Sequence, residues 1–590
     1  MSGPHASDAE WWRSAIVYEI YPRSFRDSNG DGVGDLEGVR QSLPYLESLD
    51  IDAIWFTPWY RSPLADGGYD VEDYRQIDPA FGTIEQAEAL IRDAAARGIR
   101  TIVDIVPNHV SDAHPWFADA LAAAPESNER GRFWFHPGRG PGGDELPTHW
   151  KNNFAGDVWT RTTAADGSPG EWYLHLFASE QPDLNWNHPD VVREHEDILR
   201  FWFDRGVAGI RIDSAAHIMK DPALPEDDGT HGVGRHPNLD RDEVHEVYGR
   251  WREIADSYAE PRLLVGEVWL PEPDRFARYL DDEMHTAFNF DLMTQPWDAA
   301  AFRASIELML AAHEGVGAPC TWVLSNHDVT RPATRYGRAD TSFGFESKAW
   351  GVPSDAALGL RRARAAALLI AALPGSLYIY QGDELGLPEV EDLDRASLQD
   401  PMFFRSEGAN PGRDGCRVPL PWAGERSPFG FSPDGAAVTP WLGQPAAWAS
   451  LTVQAQEADP ESTLSLYRRS LAIRRSSEEL RSAGLVWLAT PSAPAPVLAF
   501  RRGGFVSITN FGDASVALDG TLEVLLASGQ LGVCDERPGH DAGLALPADT
   551  TVWVRQPPKS LPKKPFFLAC QPAPSSAAIS GSLISSVENE

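Results

Sequence analysis

From Ala15 to Tyr380 the chain alternates between short, nearly unbroken apolar runs and longer stretches in which apolar residues return every three or four positions. The runs are AIVYEIYPRSF from Ala15, AIWFTP from Ala53, TIVDIVPNH from Thr101, GIRID from Gly209, LLVGEVW from Leu263, TAFNFDL from Thr286, CTWVLSNHD from Cys320 and SLYIYQGDE from Ser376. Runs of this kind predict strands of a parallel sheet covered on both faces, and the stretches between them, such as Thr83 to Arg97 and Leu360 to Ala372, predict helices. The series predicts an α/β fold, a (β/α)8 TIM barrel with functional groups at the C-terminal ends of its strands. A doubly wound open sheet gives the same alternation. It gives no reason, however, for polar groups after so many separate strands, and this chain places Asn108, His109, Asp213, Glu267, His327 and Asp328 there.

Two stretches break the alternation. Residues 110–189, rich in Gly, Pro and Trp, are too long for an ordinary loop and predict a small domain inserted after the third strand, overhanging the active face. After residue 477 the pattern shortens to VWLAT, PVLAF, FVSITN and TVWV with turn residues between them. This predicts a C-terminal antiparallel β-sandwich over residues 478–556, leaving the barrel to residues 1–109 and 190–477. The last segment, 557–590, mixes Pro, Lys and Ser without a period and is expected to lack order.

Composition narrows the classes. At 590 residues and 42% hydrophobic, the chain has material for several packed cores. The 86 acidic residues against 51 basic give a net charge of −35, which opposes a phosphate backbone or an anionic membrane surface, so neither nucleic acid nor membrane is expected as a partner. Cys320, Cys416, Cys534 and Cys570 lie far apart without metal-ligand spacing, and the first residues, MSGPHASDAEWW, lack the basic start and apolar core of a signal peptide. A cytoplasmic protein is expected.

Two charged motifs suggest chemistry. In GIRIDSAAH, Arg211 and Asp213 share one face of a strand, so a buried guanidinium lies beside a buried carboxylate. This arrangement serves equally as a structural ion pair or as a means of keeping a nucleophile ionised. In DSNGDGVGDLEG, the oxygens of Asp27, Asn29, Asp31 and Asp35 and the Val33 carbonyl fall at alternate positions, a spacing suited to a structural Ca2+ or Mg2+. Gly38 stands where a full EF-hand loop has its last carboxylate, and the spacing favours an ion over the alternative, an Asp/Gly turn without one.

The stretches DIVPNHV, GIRIDSAAH, GEVW and SNHD, in that order, resemble the signature regions of the α-amylase family of glycoside hydrolases. QPDLN (Gln181 to Asn185) and DGGYDVEDY (Asp66 to Tyr74) resemble its α-glucosidase and oligo-1,6-glucosidase branch. The resemblance implies Asp213 as nucleophile, Glu267 as acid/base and Asp328 as the carboxylate that holds the sugar's 2- and 3-hydroxyls, with no cofactor for catalysis. It implies His109, Arg211 and His327 as substrate-binding residues, Tyr69 as a stacking platform, and Asp66 with Arg413 closing the pocket around a terminal glucose. Arg417, in the same GRDGCRVPLPW run, competes with Arg413 for that role. Ser214 stands where relatives that cleave α-1,6 bonds tend to carry valine, so α-1,4 linkages are expected to be preferred. Glu267 follows the apolar LLVG and is expected in a less polar setting.

The implied activity is an exo-acting, retaining α-glucosidase on short oligosaccharides or disaccharides. The alternative is a transglucosylase or sugar isomerase of the sucrose isomerase or trehalose synthase type, sharing the same covalent intermediate. The heavy chains of amino-acid transporters also resemble this fold, but they carry a membrane span and lose the carboxylates. This chain does the opposite on both counts.

Overall fold

The computed structural model describes residues 10–555, apart from 155, 165, 346–347, 483, 490–495, 519–521 and 535–542, together with residues 567–569. All eight predicted strands form and join in one parallel sheet: β1 (Ile16–Ile20), β2 (Ala53–Phe56), β3 (Arg100–Ile105), β4 (Gly209–Ile212), β5 (Leu263–Gly266), β6 (Thr286–Ala287), β7 (Thr321–Trp322) and β8 (Ser376–Tyr380). The sheet runs β6-β5-β4-β3-β2-β1-β8-β7. A single parallel bridge from Phe288 to Thr321 joins its two edges, so the barrel is nearly closed.

Nearly every residue of these strands is buried, because side chains on one face fill the barrel and those on the other meet the helices. The outer ring includes α1 (Ile84–Ala95), α2 (Pro189–Asp204), α3 (Val244–Asp256), α4 (Ala299–Val316) and α5 (Ala356–Ala371). The start of α1 is set by a reciprocal Thr83–Gln86 capping box, and its inward stripe is Ala87, Leu90, Ile91 and Ala94. Among the described residues no helix is long and apolar enough to cross a membrane.

The insertion after β3 contains a three-stranded antiparallel sheet, Phe135–His136, Trp159–Thr163 and Pro169–Leu174. It has its own core of Trp134, Trp150, Val158, Trp159, Leu174 and Leu176. After the barrel, two antiparallel sheets of five and four strands enclose a core that includes Val497, Val506, Ile508, Leu518 and Val552. This sandwich sits on α5: the Trp553 indole N–H donates to the Leu368 carbonyl at 3.0 Å, and the Thr551 hydroxyl to that of Ala365 at 2.8 Å.

The final segment departs from expectation. Phe567–Ala569 pairs with Val516–Leu518 as an edge of the four-stranded sheet, where free backbone donors and acceptors accept a further strand. The rest of 557–590 lies outside the described residues.

Candidate active site

The polar groups at the C-terminal ends of the strands surround a cavity of about 340 Å³. Asp66, Tyr69, His109, Asp213, Ser214, Glu267, Asp328 and Arg413 line it, joined by Phe154, Phe177, His217 and Trp269, which sequence reasoning missed. Arg211 and His327 are fully buried beneath this lining and are not part of it. Both are bonded to residues that do line the cavity, Arg211 to Asp213 and Glu267 and His327 to Tyr69.

At the floor, Arg211 is the hub. It is the register partner of Asp104 on the neighbouring strand, so both side chains point into the barrel. Its Nη1 donates to both Asp104 oxygens at 3.0 Å and to Asp213 Oδ1 at 2.6 Å, while Nη2 donates to Glu267 Oε2 at 2.6 Å. One guanidinium thus serves three carboxyls rather than Asp213 alone. Burial, opposed by Arg211 and reinforced by neighbouring carboxyls, pushes the Asp213 carboxyl well above its ordinary range. The same balance pushes Asp104 up to about 7. One positive charge does not neutralise three carboxylates in a dry site, which favours proton uptake by Asp213 and Asp104 above the ordinary carboxylate range.

Glu267 is not in the less polar setting that its strand suggested. Besides Arg211, the Ser214 backbone N–H donates to its Oε2 at 3.0 Å and the Trp269 indole N–H to its Oε1 at 3.0 Å. Ser214 reaches it because the chain turns through a left-handed conformation there, φ 44° and ψ 42°, immediately after the nucleophile candidate.

The far end of the cavity is built by the DGGYD turn. Asp70 accepts the N–H groups of Ala65 and Asp66, and Gly67 and Gly68 take positive φ. A Cβ on Gly67 would lie 2.7 Å from the Tyr21 hydroxyl, so the turn needs glycine there. Asp66 then meets Arg413 Nη2 on one side and the Gln181 amide, at 3.1 Å, on the other. Arg413 also binds Asp400 at 2.5 Å and Asp328 at 3.3 Å, and Arg417 donates to Asp328 at 2.7 Å. The sequence alternatives Arg413 and Arg417 are thus both used, the first bridging Asp66 and Asp328 and the second holding Asp328 and lying 3.8 Å from Asp400. Burial alone would raise Asp328, but the guanidinium groups of Arg413 and Arg417 at its oxygen oppose it, and this carboxyl is held well below the usual range.

The returning arm of the insertion is clipped to the barrel by charge. Lys220 Nζ is buried between Asn108 Oδ1 (2.5 Å) and Asp183 Oδ2 (2.8 Å). This clip places Gln181, two residues before Asp183, against both Asp66 and His109 Nε2, the latter at 3.0 Å. Burial lowers His109 to about 3, so the ring is neutral and able to exchange hydrogen bonds rather than carry charge.

The loop at 27–35 lies apart from the cavity. Asp27 accepts N–H groups from Asn29, Gly30 and Gly32, Asn29 from Asp31, and Asp31 from Val33. Asp35 caps the following turn through Gly38 and binds Ser28. The donor chemistry suits a hard cation. Among the described residues, however, no three acidic, histidine or cysteine side chains gather closely enough to hold one.

The catalytic domain of the α-amylases matches residues 19–483 of this chain. A probable α-glucosidase of Rhizobium meliloti (strain 1021) is 34% identical over 508 residues, covering 82% of this chain and 86% of that protein. An oligo-1,6-glucosidase of Parageobacillus thermoglucosidasius is 33% identical over 504 residues, covering 79% and 84%. Among solved structures, an α-glucosyl transfer enzyme superposes with a TM-score of 0.76 at 32% identity, over 92% of this chain and 99% of that one.

Proposed function

Because the chain belongs to the α-amylase family and is a glycoside hydrolase, we propose that it is an exo-acting, retaining α-glucosidase. It releases glucose from the non-reducing end of short α-glucosides through a glucosyl ester on Asp213. The observation that carries this reading is the grip of one guanidinium on both Asp213 and Glu267, at 2.6 Å each. Retaining glycosidases need their two carboxyls about 5–5.5 Å apart, inverting ones about 6.5–9.5 Å, and two neighbouring nitrogens of one side chain favour the shorter separation.

In this reading Asp213 attacks the anomeric carbon as Glu267 gives its proton to the leaving oxygen. Water, deprotonated by Glu267, then breaks the ester and restores both carboxyls. Asp328, held ionised, accepts from the ring hydroxyls, and Tyr69 packs under the ring. Asp66 with Arg413 stops the cavity beyond the terminal glucose, which supports exo action. His109 exchanges hydrogen bonds with the same sugar, and Ser214 leaves room beside the leaving sugar.

A second reading, transfer of the glucosyl group to another sugar, is supported by the likeness to an α-glucosyl transfer enzyme. It shares every step up to the ester. Product analysis on maltose, isomaltose, sucrose and trehalose separates the two. Hydrolysis gives glucose in proportion to substrate consumed, with maltose favoured over isomaltose by about tenfold and Ser214→Val shrinking that ratio, as one contact at the leaving group is worth about 1–3 kcal/mol. Oligosaccharide products in place of free glucose sink the hydrolase reading.

The reading includes a structural Ca2+ or Mg2+ on Asp27, Asn29, Asp31, Asp35 and the Val33 carbonyl. The ion would crosslink the loop and take no part in turnover. At 100 times its Kd it would stabilise the fold by about 2.7 kcal/mol, so chelation should lower Tm. An unchanged Tm with no ion by elemental analysis after native purification removes it.

A further inference from the structure

Beneath the cavity, one buried hydrogen-bonded chain links β1 to the floor. Glu19 on β1 is 1% exposed, and its Oε1 lies 2.6 Å from His327 Nδ1 and 3.3 Å from the His327 backbone N. His327 Nε2 lies 2.7 Å from the Tyr69 hydroxyl and 3.4 Å from Asp328 Oδ2. The Tyr69 hydroxyl donates to Asp104 Oδ2 at 3.1 Å. Only two of these groups, Tyr69 and Asp328, line the cavity, and neither Glu19 nor the proton on His327 is assigned by the mechanism above.

Counting protons along the chain leaves few arrangements. Tyr69 has one hydroxyl hydrogen, and when it goes to Asp104 the tyrosine oxygen is an acceptor toward His327. Asp328 is held ionised between Arg413 and Arg417 and is an acceptor only. With Asp104 ionised and accepting from Tyr69, His327 Nε2 faces two acceptors and carries a hydrogen. The remaining short contact, Glu19 Oε1 to His327 Nδ1, holds one further proton. With that proton on nitrogen, the pair is an imidazolium and a carboxylate. With it on oxygen, both groups are neutral.

The surroundings favour the neutral pair. Both side chains are almost completely removed from water, where separating charge between them is costly. Burial pushes the Glu19 carboxyl well above its ordinary range and the His327 ring well below its own. The charged groups acting on the pair are Asp328 and Asp383 on one sign and Arg211, Arg413 and Arg417 on the other, so no single cation or anion overrides burial.

We infer that Glu19 is a positioning residue: its protonated carboxyl donates to His327 Nδ1 and so fixes the ring hydrogen on Nε2, where it orients the Tyr69 hydroxyl and Asp328. The same Glu19 oxygen accepts the His327 backbone N–H, which a carboxyl hydroxyl can do while donating. The effect on turnover rests on the proposed glucosidase reading, because it acts through Tyr69 and Asp328. The protonation state itself does not.

Two measurements test this in the full chain. With 15N-labelled histidine, and the His327 signals assigned by their loss in His327→Gln, a neutral ring protonated on Nε2 is expected at pH 8, where Asp104 is an acceptor. Imidazolium shifts, or a hydrogen on Nδ1 only, overturn the inference whatever the enzyme's activity. In kinetics, Glu19→Gln should keep kcat within about threefold, because its amide N–H donates to Nδ1 as the carboxyl does. Glu19→Leu should lower kcat at least tenfold per folded molecule with KM moving less than threefold. A glutamine variant as poor as leucine means that the glutamate works as an anion, and an unaffected leucine variant means that it positions nothing. Absence of glucosidase turnover in the wild type would instead fail the functional reading and leave the spectroscopic result standing.

Discussion

The two ends of the cavity are built from the same residue types with opposite results. At the floor, Asp104, Asp213 and Glu267 share Arg211 alone. At the closed end, Asp66, Asp328 and Asp400 share Arg413 and Arg417. The side chains of Asp104, Asp213 and Glu267 are 0%, 9% and 11% exposed and those of Asp66, Asp400 and Asp328 are 4%, 0% and 18%, so the ends differ in the count of cations and in the greater exposure of Asp328. With one, the Asp213 and Asp104 carboxyls are driven up. With two, Asp328 is driven down, although burial still raises Asp66. The floor is suited to keeping and moving a proton, and the closed end to presenting fixed charge to sugar hydroxyls.

The largest effect that would break this contrast is at the floor. Asp213→Asn should lower kcat by a thousandfold or more, about 4 kcal/mol, since an amide cannot form the glucosyl ester. Added azide should restore turnover with inverted product. A variant that keeps more than about a tenth of kcat takes the nucleophile role away from Asp213.

At the closed end the loss should take another form. Arg413→Leu leaves Asp66 and Asp400 buried without their partner and opens the stop beyond the terminal sugar. A fall in kcat/KM of about a hundredfold is expected, near 2.7 kcal/mol, carried chiefly by KM because the residue holds the sugar rather than the reacting atoms. Steady-state kinetics on maltose distinguish this from a collapse of kcat at unchanged KM, which would move Arg413 into the chemistry and erase the contrast.

A smaller effect sharpens it. Asp104 titrates at about 7 in the fold and near 3.9 when unfolded. Between those values the folded chain binds the extra proton, so this group stabilises the fold at low pH and that stability is lost as pH rises toward 7. Asp104→Asn should remove a decline of about 2 kcal/mol between pH 5 and pH 7, read by denaturant unfolding at each pH. If wild type and variant show the same change, the floor does not hold its proton on this group.

Much of the architecture is legible in the amino-acid sequence. The eight barrel strands declare themselves as apolar runs covered on both faces, even where only Thr286–Ala287 and Thr321–Trp322 enter the sheet. In the sandwich, Val497–Arg502, Phe505–Asn510 and Thr550–Arg555 are readable, whereas Glu523–Ala527 and Gly543–Leu546 escape notice because short, partly exposed strands carry little pattern. Of the residues that line the cavity, the polar ones named from sequence fall inside recognisable motifs. Most of their partners do not, since Glu19, Lys220 and Asp400 gain their roles only from contacts between distant segments. Gln181, in QPDLN, and Asp104 are exceptions: Asp104 lies inside the DIVPNHV motif, and pairing β3 with β4 in parallel register places it beside Arg211.

The anomer first released tests the double displacement most directly. Proton NMR during the earliest turnover of an aryl α-glucoside, whose only sugar product is the transferred glucose, should show α-glucose before mutarotation, as two displacements at Asp213 require. β-Glucose appearing first would mean a single displacement by water, and would contradict the role assigned to the carboxyls that share Arg211.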